Sequence, residues 1–153
     1  MPPFFVSAMN EFILDQRLAD DCHELGMLEL CKVLLMNNAS VSWLILVPQC
    51  SATELTELNE ADQAVLLAEI NKIAGFLESI PAVEKLNIAA LGNVVSQLHV
   101  HVIGRNSEDA CWPDPVWGRL TEAPYDSADV RVMAIALAEQ LGPDFLVNRN
   151  VIV

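Results

Sequence analysis

Two rhythms of apolar residues run along the chain, and the switches between them predict its elements. Leu28–Met36 (LELCKVLLM) opens with strand-like alternation and continues as a buried apolar run, and Asn37-Asn38 supplies a turn signal after it. Trp43–Val47 (WLILV) is a short apolar run closed by Pro48, which predicts a buried strand ending there. Ser51-Ala-Thr-Glu54 has the form of a capping box, in which a serine hydroxyl and a glutamate carboxylate satisfy the first helical N–H groups. Farther on, Leu66, Ile70, Ile73, Leu77 and Ile80 keep helical spacing, with Gln63, Glu69, Lys72 and Glu78 elsewhere, and Pro81 closes that helix. Lys85–Leu91 is a predicted strand, Gly92-Asn93 a turn and Val94–Ile103 a further strand. A last helix spans about Ser127 to Leu141, ended by Gly142-Pro143. Strands then helix, repeated once, predicts an α+β fold with an antiparallel sheet packed on one side by helices.

Length and composition narrow this picture. At 153 residues the chain reads as a single domain (residues 1–153), large enough for a core without disulfides or a metal. The hydrophobic fraction of 53% is dispersed, with no run long enough for a membrane span. The start, MPPFFVSAMNEF, lacks a basic n-region and a long apolar h-region, so no secretory signal is expected. Cys22, Cys31, Cys50 and Cys111 show no C-x-x-C spacing and read as free thiols of a cytoplasmic protein. A net charge of −13 argues against a nucleic-acid binder. A small anionic ligand would need a local electropositive pocket, built from some of only eight Lys and Arg.

The chemistry concentrates in Ser96–Arg105, SQLHVHVIGR. On an extended strand Gln97, His99 and His101 share one face, and Leu98, Val100 and Val102 share the other. A bare H-x-H is most simply a half-exposed strand with incidental polar residues. Two histidines at i and i+2 can also ligate one metal ion, but His23, the cysteines and the carboxylates lack ligand spacing for a third position.

Taken whole, GNVVSQLHVHVIGR resembles the signature of the histidine-triad (HIT) nucleotide-binding superfamily, His-φ-His-φ-His-φ-φ with φ apolar, on a strand after a glycine-polar turn. Gly92-Asn93 matches the turn, His99 the middle histidine, His101 the third and Arg105 the trailing base. A second block, WLILVPQCSATELTEL, is similar to the family's apolar strand, proline and leucine- and glutamate-rich helix. With the long helix between them the blocks cover roughly residues 22 to 105. Two positions depart: Gln97 replaces the first histidine, and Trp43 stands where the family carries a further histidine, five residues before Pro48.

The resemblance implies a HIT-like fold of about five antiparallel strands and two main helices, with a core over about residues 22–118 and the C-terminal helix at about 127–141. It also implies nucleotidyl transfer to histidine. His99 attacks the α-phosphorus, the Gln97 carbonyl orients it, and His101 donates to a phosphate oxygen, with the Gln97 amide as a possible second donor. Asn93 matches a polar position on the phosphate side. Asn38 lies near the family's ribose-contacting acid, with plain turn chemistry as the alternative. Trp43 is expected on the substrate wall, Arg105 at the anion, and Arg119 as a further anion contact. The indoles of Ala110–Gly118 (ACWPDPVWG) either cover a base, meet a partner subunit or anchor an ordinary loop. Arg17 and Asp21 receive no role. The implied substrate is a purine dinucleoside polyphosphate or a nucleoside phosphoramidate, processed by a homodimer without a cofactor or obligatory metal. The rival class is a regulatory nucleotide-binding module with little turnover.

Overall fold

The computed structural model describes residues 12–153; residues 1–11, most of the MPPFFVSAMNEF start, lie outside the described residues. The elements in chain order are α1 (Gln16–Asp21), β1 (Cys22–Met27), β2 (Cys31–Met36), β3 (Ser42–Pro48), α2 (Glu60–Glu78), β4 (Lys85–Ala89), β5 (Val100–Arg105), α3 (Ser127–Leu141), β6 (Leu146–Val147) and α4 (Arg149–Ile152). The strands form one antiparallel sheet in the order β4-β5-β3-β2-β1-β6. The expected α+β architecture with one antiparallel sheet is therefore the observed one, with a sixth strand, the two-residue β6, beyond the five expected.

Strand alternation divides the core in two. Val33, Leu35, Leu44, Leu46, Val100 and Val102 join Leu66, Ile73 and Leu77 of α2 and Val130, Ala134 and Leu137 of α3 in the larger cluster. Leu34, Trp43, Ile45, Val47 and Ile103, alternate residues of the same strands, pack with Leu18, Val95, Cys111 and Val116 in a second cluster. Both long helices thus cover one face. The other is covered by the N-terminal segment and by the loop after β5, which carries little regular structure. Helix α3 starts on Asp126, whose side chain accepts from Asp129 N, and ends at Gly142, whose φ of +63° suits a residue without Cβ.

Three sequence expectations shift. Ser51–Glu54 caps no long helix: Thr53 bonds Glu57 across a short 3₁₀ turn at Leu55–Glu57, which lets Ala52 and Leu58 reach the core. Asn59 caps α2 instead, accepting from Asp62 N at 2.8 Å. Glu69, expected on the polar side of α2, is only 2% exposed because its carboxylate accepts from Leu30 N and Cys31 N at 3.0 and 2.8 Å, tying the β1–β2 turn to α2. Burial raises its pKa, and those two N–H groups oppose the rise. Finally, β5 begins at Val100 rather than Val94. Val100 pairs with Leu46, so continuing the ladder would set Leu98 against Pro48, which has no N–H to donate. Leu98 N bonds Ala52 O at 3.0 Å instead.

Candidate active site

His101 lies in β5 opposite Ile45, and Trp43 of β3 sits diagonally from it on the same face. His99 lies just before the strand. Both imidazoles are buried, at 6% exposure for His99 and 5% for His101. Their ring centroids are 4.9 Å apart, at an interplanar angle of 71°.

The hydrogen bonds determine which nitrogen of each ring carries the proton. His99 Nδ1 is 2.7 Å from the carbonyl oxygen of Gln97. A carbonyl only accepts, so His99 Nδ1 donates, and Nε2 of the neutral ring keeps its lone pair. At His101 the order is reversed. Trp43 Nε1 donates to His101 Nδ1 at 3.0 Å, so the single proton of a neutral ring lies on Nε2. Burial, then the neighbouring His99, pushes the His101 pKa down to about 4, so this ring is neutral at pH 7. The pair offers a nucleophilic lone pair on one ring and an N–H donor on the other.

Gln97 behaves differently from its expected role as a phosphate donor. Its Nε2 donates to Ile13 O and its Oε1 accepts from Asp15 N, both at 2.9 Å. The Gln97 carbonyl accepts from His99 Nδ1, while the side chain holds the N-terminal segment. Phe12, Leu14 and Leu18 of that segment pack onto the histidine-bearing face. The sequence signals of this segment are Asp15 as a helix cap and Leu14 and Leu18 four residues apart.

Beside Trp43 lies a cavity of about 650 Å³, of the size that holds a small-molecule ligand. Trp43, Trp117, Val116, Met36 and Leu120 supply its apolar lining; Arg17, Asp20, Asp21 and Glu122 supply charge, acidic in balance. Trp117 sets its edge against His101 at 5.2 Å and against Trp43 at 5.9 Å. Its indole N–H is buried without an acceptor among the described residues. Of the Ala110–Gly118 indoles, Trp117 therefore joins the site, whereas Trp112 stacks over Arg105 at 5.8 Å. A smaller cavity of about 380 Å³, lined by Ser51, Thr53, Ser96 and Gln97, lies on the other flank of the clamped segment.

Other expected contacts fall elsewhere. Arg105 is 1% exposed and gives no anion site: it donates to Asp109 from Nε and Nη2, to Asn87 from Nη1 and to the Asp114 carbonyl. The guanidinium, against burial, holds the Asp109 carboxyl down at about 2. β5 delivers Arg105 to the same face as His101, but Asp109 four residues later claims it. Arg119 is ion-paired with Asp114 at 3.0 Å and lines neither cavity. Asn38 borders the large cavity, yet its amide donates to Thr121 O and accepts from Ser40 N, so turn chemistry is realised there. Asn93 is exposed and lines neither cavity. Among the described residues no group of three or more His, Cys, Asp or Glu is placed to hold a metal ion.

Comparison with known proteins follows this geometry. The family model described as HIT domain matches residues 18–108, a span that holds β1 to β5, Trp43, Gln97, His99 and His101. Crystal structures of histidine triad proteins are similar over nearly their whole length. That from Sinorhizobium meliloti is 45% identical, with a TM-score of 0.81, 84% of this chain covered and 96% of the other. That from Bradyrhizobium japonicum is 43% identical, with a TM-score of 0.82 and coverage of 85% and 98%. That from Marinobacter aquaeolei is 41% identical, with a TM-score of 0.81 and coverage of 86% and 96%. Among curated proteins there is no significant match.

Proposed function

The chain belongs to the HIT domain family, whose members generally act on nucleotides as hydrolases or transferases, and from that premise we propose a nucleotidyl-histidine mechanism centred on His99. The observation that carries it is the opposed proton placement on His99 and His101. His99 Nε2 attacks the α-phosphorus; the P–N bond forms as the bond to the leaving group breaks, and the electron pair departs with that group. Nδ1–H stays on the Gln97 carbonyl, which stabilises the positive charge on the ring. His101 Nε2–H donates to a non-bridging oxygen as charge builds there, a contribution worth about 2.7–4 kcal/mol for a well-placed donor. Water then cleaves the P–N bond and releases a nucleoside monophosphate. The nucleoside is assigned to the 650 Å³ cavity, against the wall that Trp43 and Trp117 form together.

Of the two substrate classes the family suggests, the charge distribution favours a nucleoside phosphoramidate. The chain has eight cationic side chains. Lys32, Lys72, Arg17, Arg105 and Arg119 are ion-paired, and the cavity holding Arg17 also holds Asp20, Asp21 and Glu122. A dinucleoside polyphosphate would bring several negative charges to this acidic neighbourhood; a phosphoramidate brings one at phosphorus. The departing amine takes its proton from water, since Gln97 and Trp43 cannot supply one.

Two further assignments belong to the same proposal. A homodimer is assigned to the edge strand β4, whose flank exposes Ile88, Leu91 and Val94. A cytoplasmic location is assigned from four unpaired cysteines. No helix among the described residues is long and apolar enough to cross a membrane.

A second reading, a regulatory module that binds nucleotide with little turnover, draws support from the burial of both histidines behind a clamped segment. A turnover screen of phosphoramidates and dinucleoside polyphosphates, run beside calorimetry with nucleoside monophosphates, separates the two. Hydrolysis abolished by His99→Ala with nucleotide affinity retained supports the enzyme. Micromolar binding with no turnover of any substrate supports the module.

A further inference from the structure

We propose that Trp43 is a positioning residue that locks His101 as the Nε2–H tautomer, making it a permanent neutral donor to phosphate. An indole nitrogen donates and never accepts, so its bond to His101 Nδ1 admits only one placement for the imidazole proton. Both partners are more than nine-tenths buried, so water does not compete for that nitrogen. Three aromatic contacts hold the ring in place: Trp43 at 5.6 Å, Trp117 at 5.2 Å and His99 at 4.9 Å between centroids.

The residue type matters here. A histidine at position 43 could donate or accept, and it could pass a proton to its neighbour and leave His101 free to change tautomer. Tryptophan removes that freedom. It also mirrors the arrangement at His99, where a carbonyl that only accepts sets the opposite tautomer. Two partners of fixed polarity, Trp43 Nε1–H and Gln97 C=O, thus assign unlike roles to two rings that strand alternation alone leaves equivalent. Burial acts in the same direction, since protonating His101 Nδ1 would strand the indole N–H in an apolar shell. In terms of kinetics, Trp43 acts through His101 on the transition state rather than through its own contact with the nucleoside.

This inference builds on His101 as the phosphate donor, so its test has an arm that needs no activity. Long-range ¹H–¹⁵N correlation on the wild-type protein at pH 7 should show His101 Nδ1 unprotonated and Nε2 protonated. In Trp43→Phe, which keeps an aromatic wall and loses only the donor, the His101 signals should move to mixed-tautomer values. For the phosphoramidate substrate, kcat should fall about 10- to 100-fold while KM changes less than about threefold. His101→Gln, whose amide can accept from Trp43 and donate to phosphate, should keep far more activity than His101→Ala. A wild-type His101 protonated on Nδ1 or on both nitrogens overturns the proposal, as does a Trp43→Phe protein with unchanged tautomer signals. If wild type cleaves nothing, the hydrolase reading fails and the tautomer spectra alone decide this one.

Discussion

The two faces of the central sheet are made by alternate residues of the same strands, and they serve different ends. Along β2, β3 and β5 the face under α2 and α3 is apolar: Val33, Leu35, Leu44, Leu46, Val100 and Val102 meet the apolar side chains of the two helices. The opposite face carries Trp43, His101 and Arg105 among its aliphatics and is closed by the clamped N-terminal segment and the loop after β5. The two histidines and the arginine there each have a specific partner: His101 has Trp43, His99 has the Gln97 carbonyl, and Arg105 has Asp109. One residue of register separates a row that supplies stability from a row that supplies chemistry. Substitutions on the two rows should therefore fail in different assays.

The largest contrast is expected at His99. His99→Ala should lower kcat by about 1000-fold or more, since no other described side chain is placed to attack phosphorus. Its midpoint of chemical denaturation should stay close to wild type. On the other face, Leu44→Ala should cost about 2–5 kcal/mol of stability through lost burial and a residual cavity. Below its melting temperature, turnover per folded molecule should be near wild type. A Leu44→Ala protein that is folded yet inactive would break the division between faces.

A smaller effect is expected from pH. The folded-state pKa of His101 is about 4, against an ordinary 6.5. Between these values the unfolded chain takes up a proton that the folded chain refuses. This contribution is complete above pH 6.5 and is lost as pH falls toward 4, by at most about 3 kcal/mol. Asp109, held at about 2, contributes in a separate window below pH 3.8. Denaturant titrations of wild type and His101→Gln at pH 7, 5.5 and 4.5 test this, and the substitution should flatten the curve between pH 6.5 and 4. An unchanged slope would show that another group carries the acid dependence.

The smallest stability effect belongs to the clamp. Gln97→Ala removes two hydrogen bonds to backbone and should cost about 1–2 kcal/mol. It should raise amide exchange at Asp15–Arg17 while leaving exchange in β3 unchanged. Because the Gln97 carbonyl survives the change, His99 stays oriented and kcat should fall no more than about tenfold. Unaltered exchange at Asp15 would mean that packing of Leu14 and Leu18, not Gln97, holds the segment.

How legible this was in the sequence varied with the range of the interactions involved. Strands β2, β3 and β4 and helices α2 and α3 are written in local periodicity and in Pro48, Pro81 and Gly142. The shared face of His99 and His101 follows from alternation alone. Strand β1, with Gly26 and His23 among its apolar residues, carries no clean rhythm and no local strand signal. Gly26 is required because a Cβ would come within 2.3 Å of Leu146 O, an approach created only when β6 pairs with β1. The Gln97 clamp on Ile13 and Asp15 and the burial of Glu69 under the β1–β2 turn depend on where elements dock, whereas the capture of Arg105 by Asp109 is local and needs only the turn that follows β5. Trp43 and His101 are 58 positions apart, and nothing local marks them as a donor–acceptor pair.

The most direct measurement is intact mass analysis of the protein quenched in base during turnover of a nucleoside phosphoramidate. A nucleotidyl-histidine mechanism predicts a transient gain of one nucleotidyl group, localised by fragmentation to His99 and absent from His99→Ala. Steady turnover with no such adduct, or an adduct on a residue other than His99, would contradict the assignment of His99 as the nucleophile.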